Sequence, residues 1–349
     1  MDDLKSLANK HRELDFLIEG NKNLKPFISD WNCEHPFYKE ETETIKVKPK
    51  NLTKYNYIRG EDDLTELISE FHLNSGEPKY SLDEILTSHG STTIISAFFI
   101  WLKSEGIKEV YYIPPIYFTF HFFASIYDIS FRPVTKSHLF ESNPQLNLPN
   151  KKSVLVLTDP IWYCGFIVPE TQINFILKWQ ERTKSTVFVD GSFQYFKWDC
   201  SKHEHSSIFI KDRTFRLVCP TKTIAIHGLR FSYLLLPKKL YNTFDFILDN
   251  LMGSSNPYDV EFSKKCMKIL CSKKNNIDLI KYTHSIFHKL QDKQAIFTEI
   301  QPNCGYFVFA IPCKKNNSFD SMDGNYFEQQ KYEKHVRINL LGSKIKKLF

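Results

Sequence analysis

The most informative stretch of this chain is residues 215–237, which read FRLVCPTKTIAIHGLRFSYLLLP. One apolar run stops at Pro220 and a second ends at Pro237, so the stretch predicts two strands. Lys222 and Arg230 lie between these two runs. A lysine in this position is expected at the end of a strand, where open α/β sheets place their binding sites.

Lys222, Thr221 and Arg230 together indicate a particular chemistry. A lysine amine in apolar surroundings has a lowered pKa and can form a Schiff base with a carbonyl compound. An arginine guanidinium binds phosphate through paired N–H donors. With the small hydroxyl of Thr221, these side chains suit pyridoxal 5′-phosphate (PLP), which carries an aldehyde and a phosphate. The alternative is an exposed lysine and arginine in an ordinary hairpin, and the spacing alone favours that alternative.

Composition predicts a protein with a sizeable core and with no nucleic-acid, membrane or metal partner. The 349 residues are 42% hydrophobic and 15% aromatic, enough for one large domain or two. The net charge of +6 is mild, and lysines and arginines are spread along the chain. No apolar run reaches membrane-spanning length, and the N-terminus does not read as a signal peptide. The eight cysteines lack metal-binding spacing and predict a reduced, cytoplasmic protein.

The order of elements predicts an α/β fold with two parts. Strand, loop and helix alternate over residues 84–237, which is typical of a mostly parallel sheet with helices on both faces. Beyond that stretch, two helical patterns are followed by short strand-like runs, which predict a smaller α+β domain. We therefore expect a large domain over residues 50–244 and a small domain made of residues 1–49 and 245–349.

Two loops at strand ends have the residues to hold an anion or a flat ring. A short apolar run leads into Gly90, Ser91 and Thr92, and then into an apolar helix. This order brings together backbone N–H groups, hydroxyls and the positive end of a helix, although a simple helix cap is the alternative. Tyr117 follows a strand that ends in two prolines. Its ring is placed to stack on a planar cofactor, with core packing as the alternative.

Asp190 ends the apolar run 187–189 and precedes Gly191. A carboxylate at the end of a buried strand is unfavourable unless it is paired. The protonated nitrogen of a pyridine ring would be a suitable partner, and a cap on the following loop is the alternative.

Taken together, these segments resemble the fold-type I PLP-dependent enzymes, and specifically the class I and II aminotransferases. The resemblance covers nearly the whole chain in the same order. The motifs that carry it are Gly90-Ser91-Thr92, Pro115-Ile116-Tyr117, Val187-Phe188-Val189-Asp190, Thr221-Lys222 with Gly228-Leu229-Arg230, Cys304-Gly305-Tyr306-Phe307, and Val336-Arg337-Ile338-Asn339. The family fold implies a mostly parallel, seven-stranded type of sheet sandwiched by helices, together with a smaller α+β domain.

The resemblance assigns roles at the cofactor. Lys222 would form the internal aldimine with PLP and act as the catalytic base, and Asp190 would pair with the pyridine nitrogen. Tyr117 would stack on the ring. The phosphate would be bound by further residues, namely Gly90, Ser91, Thr92, Cys219, Thr221 and Arg230.

The resemblance also assigns roles at the substrate and at a second subunit. Arg337 would bind the α-carboxylate of an amino-acid substrate, and Trp31 and Asn32 are candidates for the lining of the substrate pocket. Tyr55 or Tyr57, with Tyr57 preferred, resembles the tyrosine that reaches the phosphate of the neighbouring subunit. This last match implies a homodimer.

The chain departs from the family pattern around the cofactor oxygen O3′. Where the family usually has Asn-Pro-x-Asn-Pro-Thr-Gly, residues 159–165 read DPIWYCG, so Trp162 replaces the asparagine that donates to O3′. Phe193 replaces a tyrosine donor, and Cys219 replaces a phosphate-binding hydroxyl residue. Tyr163 is the candidate for a replacement hydroxyl. The expected effects are a shifted pKa of the aldimine and an altered reaction specificity.

Three functions follow from these observations. The leading hypothesis is a PLP-dependent aminotransferase that acts on an amino acid through Lys222. The second is a PLP-dependent lyase, side-chain replacement enzyme or cyclase of specialised amino-acid biosynthesis. The third is a non-catalytic binding protein on the same scaffold, which the presence of Lys222, Asp190 and Arg230 disfavours.

Overall fold

Seven strands form one large sheet in a computed structural model of the chain. They are β1 (Ile85–Ser88), β2 (Glu109–Tyr112), β3 (Ser130–Pro133), β4 (Val154–Thr158), β5 (Thr186–Gly191), β6 (Thr214–Val218) and β7 (Ser232–Leu235). Their order across the sheet is β1-β7-β6-β5-β4-β2-β3. The neighbours from β6 to β3 run parallel, whereas β7 is antiparallel to both β6 and β1. The predicted mostly parallel sheet is confirmed.

The structure describes residues 9, 12, 27–37, 62–136, 144–272, 274–313 and 320–348. Tyr55 and Tyr57, the candidates for contact with a second subunit, lie outside the described residues. Within the described part of the chain, no helix is long and apolar enough to cross a membrane.

Helices cover both faces of the large sheet. In chain order from residue 62, the helices are α1 (Asp62–Asn74), α2 (Ser91–Ser104), α3 (Phe118–Ile126), α4 (Glu170–Thr183), α5 (Pro220–Thr223), α6 (Tyr241–Met252), α7 (Pro257–Ser272) and α8 (Lys274–Asp292). Helix α8 packs instead in a separate core, through Ile286, Phe287 and Leu290. Strand β4 shows why both faces are covered. Val154 and Val156 belong to the core under α2, α3 and α6, whereas Leu155 and Leu157 belong to the core under α4. An uninterrupted apolar run is the expected pattern for a strand buried on both faces.

Helix α1 and helix α7 cover a third core next to the antiparallel edge of the sheet. Asp62 and Asp63 lie in the first turn of α1, where negative charge stabilises the positive end of a helix. Leu64, Ile68 and Phe71 recur at helical spacing and pack in this core with residues of β1 and β7.

A small antiparallel sheet follows the helices, and this part of the fold prediction is also confirmed. Its strands are β8 (Ile296–Phe297), β9 (Phe307–Pro312) and β10 (Val336–Asn339), in the order β10-β9-β8. The segment 27–37 joins this sheet, because the Asn339 Nδ2 atom donates to the backbone oxygens of Asp30 and Asn32, both at 2.8 Å. The domain boundary predicted after residue 244 falls inside α6.

Candidate active site

Three of the predicted site residues lie at the carboxyl-terminal edge of the large sheet. Asp190 lies near the end of β5, Lys222 lies in α5 directly after β6, and Tyr117 precedes α3. Because β2, β4, β5 and β6 run parallel, these ends meet at one edge. The Lys222 Nζ atom lies 5.9 Å from the ring centroid of Tyr117 and 4.8 Å from that of Phe193. The amine is therefore flanked by two aromatic rings.

Lys222 is presented by a helix of a single turn. Pro220 occupies the first turn of α5, where its fixed backbone angle suits a helix and no N–H is required. The turn closes with bonds from the backbone N–H of Lys222 to the Cys219 oxygen at 2.9 Å and from Ala225 to the Lys222 oxygen at 3.1 Å. The side chain of Lys222 is only half-buried, so its amine can be approached from the sheet edge.

Asp190 is a buried carboxyl group at the floor of this edge. The residue is 2% exposed, and its Oδ1 atom accepts from the backbone N–H of Ser192 at 3.1 Å. Burial raises the pKa of Asp190, and the positive charge of Lys222 acts in the opposite direction. Among the described residues, no basic side chain forms a salt bridge with this carboxyl group. A protonated ring nitrogen would supply the missing positive partner.

Gly90 and Arg230 form a cradle at the start of α2. Gly90 has a φ of +117°, and a Cβ atom added to it would lie 2.7 Å from the Arg230 Nη2 atom. Only glycine therefore lets the guanidinium lie this close to the positive end of the helix. Ser91 is buried in the first turn, whereas Thr92 and Arg230 are exposed. An arginine beside a helix N-terminus is a suitable site for a phosphate.

The side chains of Cys219 and Thr221, which were predicted to bind the phosphate, form hydrogen bonds within the protein instead. The Cys219 Sγ atom lies 3.5 Å from the Ser192 Oγ atom, and burial raises the pKa of the Cys219 thiol. The Thr221 hydroxyl donates to the Phe231 backbone oxygen at 3.4 Å. The Ser192 hydroxyl therefore lies beside Cys219, the residue that stands where the family pattern has a phosphate-binding hydroxyl. Sequence reasoning missed Ser192, although its place two residues after Asp190 was a usable signal.

Arg337 lies in β10 and is fully buried among aromatic rings. Its Cζ atom lies close to four ring centroids, which belong to Trp31 at 3.8 Å, Phe307 at 4.7 Å, Trp162 at 5.3 Å and Phe327 at 5.6 Å. The Nη2 atom donates to the Ser29 backbone oxygen, but Nε and Nη1 have no hydrogen-bond partner in the described structure. Burial lowers the pKa of Arg337 to about 9. A carboxylate would satisfy both the charge and the open N–H groups.

Trp162 and Phe193, the two residues expected to stand in place of the family's O3′ donors, pack against each other. The rings of Trp162 and Phe193 are stacked, with centroids 5.8 Å apart and planes at 19°. Tyr163 instead stacks on Phe327 at 4.3 Å, and its buried hydroxyl has no hydrogen-bond partner among the described residues. Burial raises the pKa of Tyr163 well above its usual value. The Tyr163 ring contacts those of Trp162, Phe309 and Phe327, in the same hydrophobic core as Phe193.

Of the two candidate pocket residues on the segment 27–37, Trp31 lies against Arg337, whereas the Asn32 contacts are with Asp30 and Asn339. The half-buried Trp31 ring covers the guanidinium, whereas the exposed Asn32 side chain donates to the Asp30 carboxylate at 3.1 Å. Sequence reasoning missed His227, which lies within the Lys222–Arg230 segment. Its Nδ1 atom lies 3.0 Å from the Trp31 backbone oxygen.

A cavity of about 680 Å³ adjoins this region. It is lined by Cys33, Glu34, His35, Ala225, Ile226, His227, Gly228, Leu229 and Phe262. Lys222 and Arg337 are not among the residues that line it. In the parts of the chain that are described, no group of three or more His, Cys, Asp or Glu side chains is arranged to hold a metal ion.

The family model for aminotransferase class I and II matches residues 36–336. The chain belongs to this family. Enzymes of the family are PLP-dependent transferases, and the described site fits that cofactor, because Gly90 leaves room for Arg230 and the buried Asp190 lacks a basic partner among the described residues. A comparison with curated proteins found no match to the chain.

Solved structures with low sequence identity share the fold. Substrate-bound BacF from Bacillus subtilis has a TM-score of 0.76 and 13% identity, over 99% of this chain and 93% of BacF. The Thermus thermophilus aspartate aminotransferase has a TM-score of 0.74 and 13% identity, over 99% and 94% of the two chains. N-Succinyldiaminopimelate aminotransferase from Mycobacterium tuberculosis has a TM-score of 0.73 and 13% identity, over 99% and 94%. At this identity, the likeness establishes the fold alone.

Proposed function

We propose that the protein is a PLP-dependent aminotransferase of an amino acid and that Lys222 bonds to the cofactor aldehyde. The observation that carries the proposal is the arrangement at the sheet edge. The Lys222 amine lies between the rings of Tyr117 and Phe193, and its charge acts on the buried carboxyl group of Asp190. An amine and a carboxyl group at one strand edge are the two groups that the cofactor needs at its aldehyde and its ring nitrogen.

Each end of the cofactor has a candidate partner. Arg230 and the first turn of α2 would bind the phosphate, with Ser91 and the Ser192 hydroxyl as further donors. Tyr117 would lie against the ring, and Asp190 would hold the proton on the ring nitrogen. When bound, PLP supplies an electron-withdrawing ring that stabilises negative charge at the substrate α-carbon.

The protein's own groups would then position the substrate and move its proton. The Arg337 N–H groups bind the substrate carboxylate and so fix the orientation of the α-carbon. The Lys222 amine is the general base that removes the α-proton. The rings around Arg337 exclude water, which strengthens the interaction between the guanidinium and the carboxylate.

Chemistry on the amino-acid side chain, by elimination, replacement or cyclisation, is the second candidate. The stack of Trp162 on Phe193 supports it, because an apolar pair stands where the family places two hydrogen-bond donors to the cofactor. Hydrogen bonds to the cofactor tune its electronics and therefore its reaction. Formation of a ketoacid from the amino-acid substrate would favour transamination over this candidate.

A homodimer in the cytoplasm is also part of the proposal. Members of the family commonly form dimers, and Tyr57 stays the preferred residue for contact with the neighbouring site. Light scattering of the purified protein would measure its mass in solution.

The experiment that tests the proposal compares the natural protein with Lys222→Ala. The protein is incubated with PLP, reduced with borohydride and digested, and the cofactor is located by peptide mass spectrometry. We expect the label on Lys222 and a visible absorbance band that amino acids from a panel shift. Lys222→Ala should lose both the label and the transfer of the amino group to a ketoacid.

The matched control is Lys238→Ala, which removes an exposed lysine whose Nζ atom pairs with Asp83 at 2.7 Å. This variant should keep the label and the activity. If Lys222→Ala retains full activity, the assignment of Lys222 is wrong. If no PLP binds to the natural protein at any pH, the proposed function is wrong.

A further inference from the structure

His227 links two parts of the candidate site through its two ring nitrogens. It lies on the loop between α5 and β7. Its Nδ1 atom lies 3.0 Å from the Trp31 backbone oxygen, and its Nε2 atom lies 2.5 Å from the Tyr306 hydroxyl. The imidazole therefore bridges the segment 27–37 and the start of β9.

The two partners determine the tautomer of His227. A backbone carbonyl only accepts hydrogen bonds, so Nδ1 must carry the proton that is donated to Trp31. In the neutral ring, Nε2 then accepts from the Tyr306 hydroxyl. Burial and the charge of Lys222 lower the pKa of His227 to about 4, so the ring stays neutral at neutral pH and both bonds persist.

The bond to Trp31 acts on the ring that covers Arg337. Of the four rings around the guanidinium, those of Trp162, Phe307 and Phe327 are buried in the core, and the Trp31 ring is half-buried. Packing therefore constrains Trp31 least, and its backbone anchors matter most. The residues on either side of Trp31 are held by Asn339, which leaves His227 as the anchor of the Trp31 carbonyl itself.

The bond to Tyr306 leads to the lysine side of the site. The ring of Tyr306 lies 5.4 Å from the ring of Phe193. Phe193 lies 4.8 Å from the Lys222 Nζ atom, closer than Tyr117 at 5.9 Å. The His227 imidazole thus contacts Trp31, whose ring covers Arg337, and Tyr306, whose ring packs against Phe193 beside Lys222.

We propose that His227 is a positioning residue for substrate binding: its Nδ1–H group holds Trp31 over Arg337 and so sets the affinity of the site for a carboxylate. The inference deepens the proposed function and rests on it for the identity of the substrate carboxylate. The bond itself, and its effect on Trp31, do not depend on the reaction that the protein catalyses.

The test compares His227→Leu with His227→Asn in the full-length protein with PLP added. Leucine fills a similar volume without a donor, whereas the asparagine amide supplies an N–H close to the position of Nδ1. The protein is labelled with 5-fluorotryptophan, which reports all five tryptophans by ¹⁹F NMR, and Trp31→Phe assigns the Trp31 resonance. The carboxylate probe is 3-phenylpropanoate, which has no amine and cannot react.

We expect the Trp31 resonance to shift or broaden in His227→Leu and to return towards its natural position in His227→Asn. The dissociation constant of 3-phenylpropanoate should rise about two- to tenfold in His227→Leu, the loss expected for one hydrogen bond. The KM for an amino acid found in the panel should rise by a similar factor, with little change in kcat. Tyr306→Phe, which leaves the Nδ1 donor in place, should change the Trp31 resonance less.

Several outcomes would overturn the inference. They are an unchanged Trp31 resonance and probe affinity in His227→Leu, equal effects of leucine and asparagine, or a Trp31 resonance in the natural protein that does not respond to the probe. If His227→Leu fails to fold, His227→Ala takes its place, because it also removes the Nδ1 donor and the same shift of the Trp31 resonance and loss of probe affinity are expected. Failure to label Lys222 with PLP would contradict the proposed function alone, because the Trp31 and probe measurements need no reaction.

Discussion

Arg216 and Arg337 are both fully buried arginines, yet among the described residues only Arg216 forms a salt bridge with a carboxylate. In β6, the Arg216 Nη1 atom lies 2.6 Å from the Glu77 Oε2 atom. Glu77 also contacts the His72 Nδ1 atom at 2.9 Å and the Tyr195 hydroxyl at 3.2 Å. In β10, Arg337 has aromatic rings around it and forms no salt bridge with any described residue.

The electrostatic consequences differ accordingly. Burial alone would lower the pKa of Arg216, but Glu77, together with Tyr80 and Tyr195, outweighs burial and raises this pKa well above its usual value. For Arg337 burial dominates and lowers the pKa to about 9. A buried charge that is paired within the protein is expected to have a structural role. A buried charge without such a partner is expected in a binding site, where a ligand supplies the opposite charge.

The largest effect on stability is expected from Glu77→Gln. This change removes the anion and leaves Arg216 as an unpaired buried cation, which should lower the free energy of unfolding by about 3–5 kcal/mol. Urea denaturation measures it. The control is Asp83→Asn, which makes the same change in the exposed pair with Lys238 and should have little effect. A small loss in Glu77→Gln would mean that the Glu77–Arg216 pair does not hold the structure together.

The pH dependence sharpens the same prediction. Burial opposes ionisation of Glu77, but Arg216 and His72 outweigh it and lower the pKa from the usual 4.5 to about 2. As the pH falls, the unfolded chain takes up this proton first. The stabilisation by Glu77 is therefore complete above pH 4.5 and is lost as the pH falls towards 2. The difference in unfolding free energy between the natural protein and Glu77→Gln should shrink over that range.

The opposite behaviour is expected from Arg337→Met. Loss of the guanidinium should reduce kcat/KM for the amino-acid substrate by roughly 30- to 1000-fold, the effect of removing one partner of a buried charge pair. Stability should stay the same or rise, because an unpaired buried cation is replaced by an apolar side chain of similar length. Arg337→Lys keeps the positive charge but loses the planar pair of N–H donors, so its activity should lie between that of the natural protein and that of Arg337→Met. A loss of stability comparable with Glu77→Gln would erase the contrast between the two arginines.

The sequence predicts one of these arginines better than the other. Arg337 lies in a short motif at the family's position for a carboxylate ligand, so a local pattern was enough to single it out. Arg216 lies in an apolar run, and its partner Glu77 is far away along the chain, so no local sequence pattern predicts this ion pair. The same limit explains why His227 was missed, since its partners Trp31 and Tyr306 come from distant segments.

Strand ends were easier to predict than the side chains between them. Asp190 and Lys222 follow apolar runs of parallel strands, and parallel strands bring such residues to one edge. The departure from the family pattern at Trp162 and Phe193 was visible in the sequence, but the stacking of these two rings and the position of Tyr163 depend on tertiary packing.

A third arginine, Arg230, lies outside this contrast because it is exposed, and its placement depends on Gly90. In Gly90→Ala, the added methyl group would meet the Arg230 Nη2 atom at 2.7 Å and would sit on a backbone with a φ of +117°. The guanidinium must move away from the start of α2, so PLP affinity, measured by absorbance titration, should weaken by about 1–2 kcal/mol. Gly106→Ala is the control, because Gly106 also has a positive φ, of +69°, but an added Cβ meets nothing within 4 Å. The control should keep its PLP affinity. Equal weakening in both variants would mean that backbone strain, and not the contact with Arg230, governs phosphate binding.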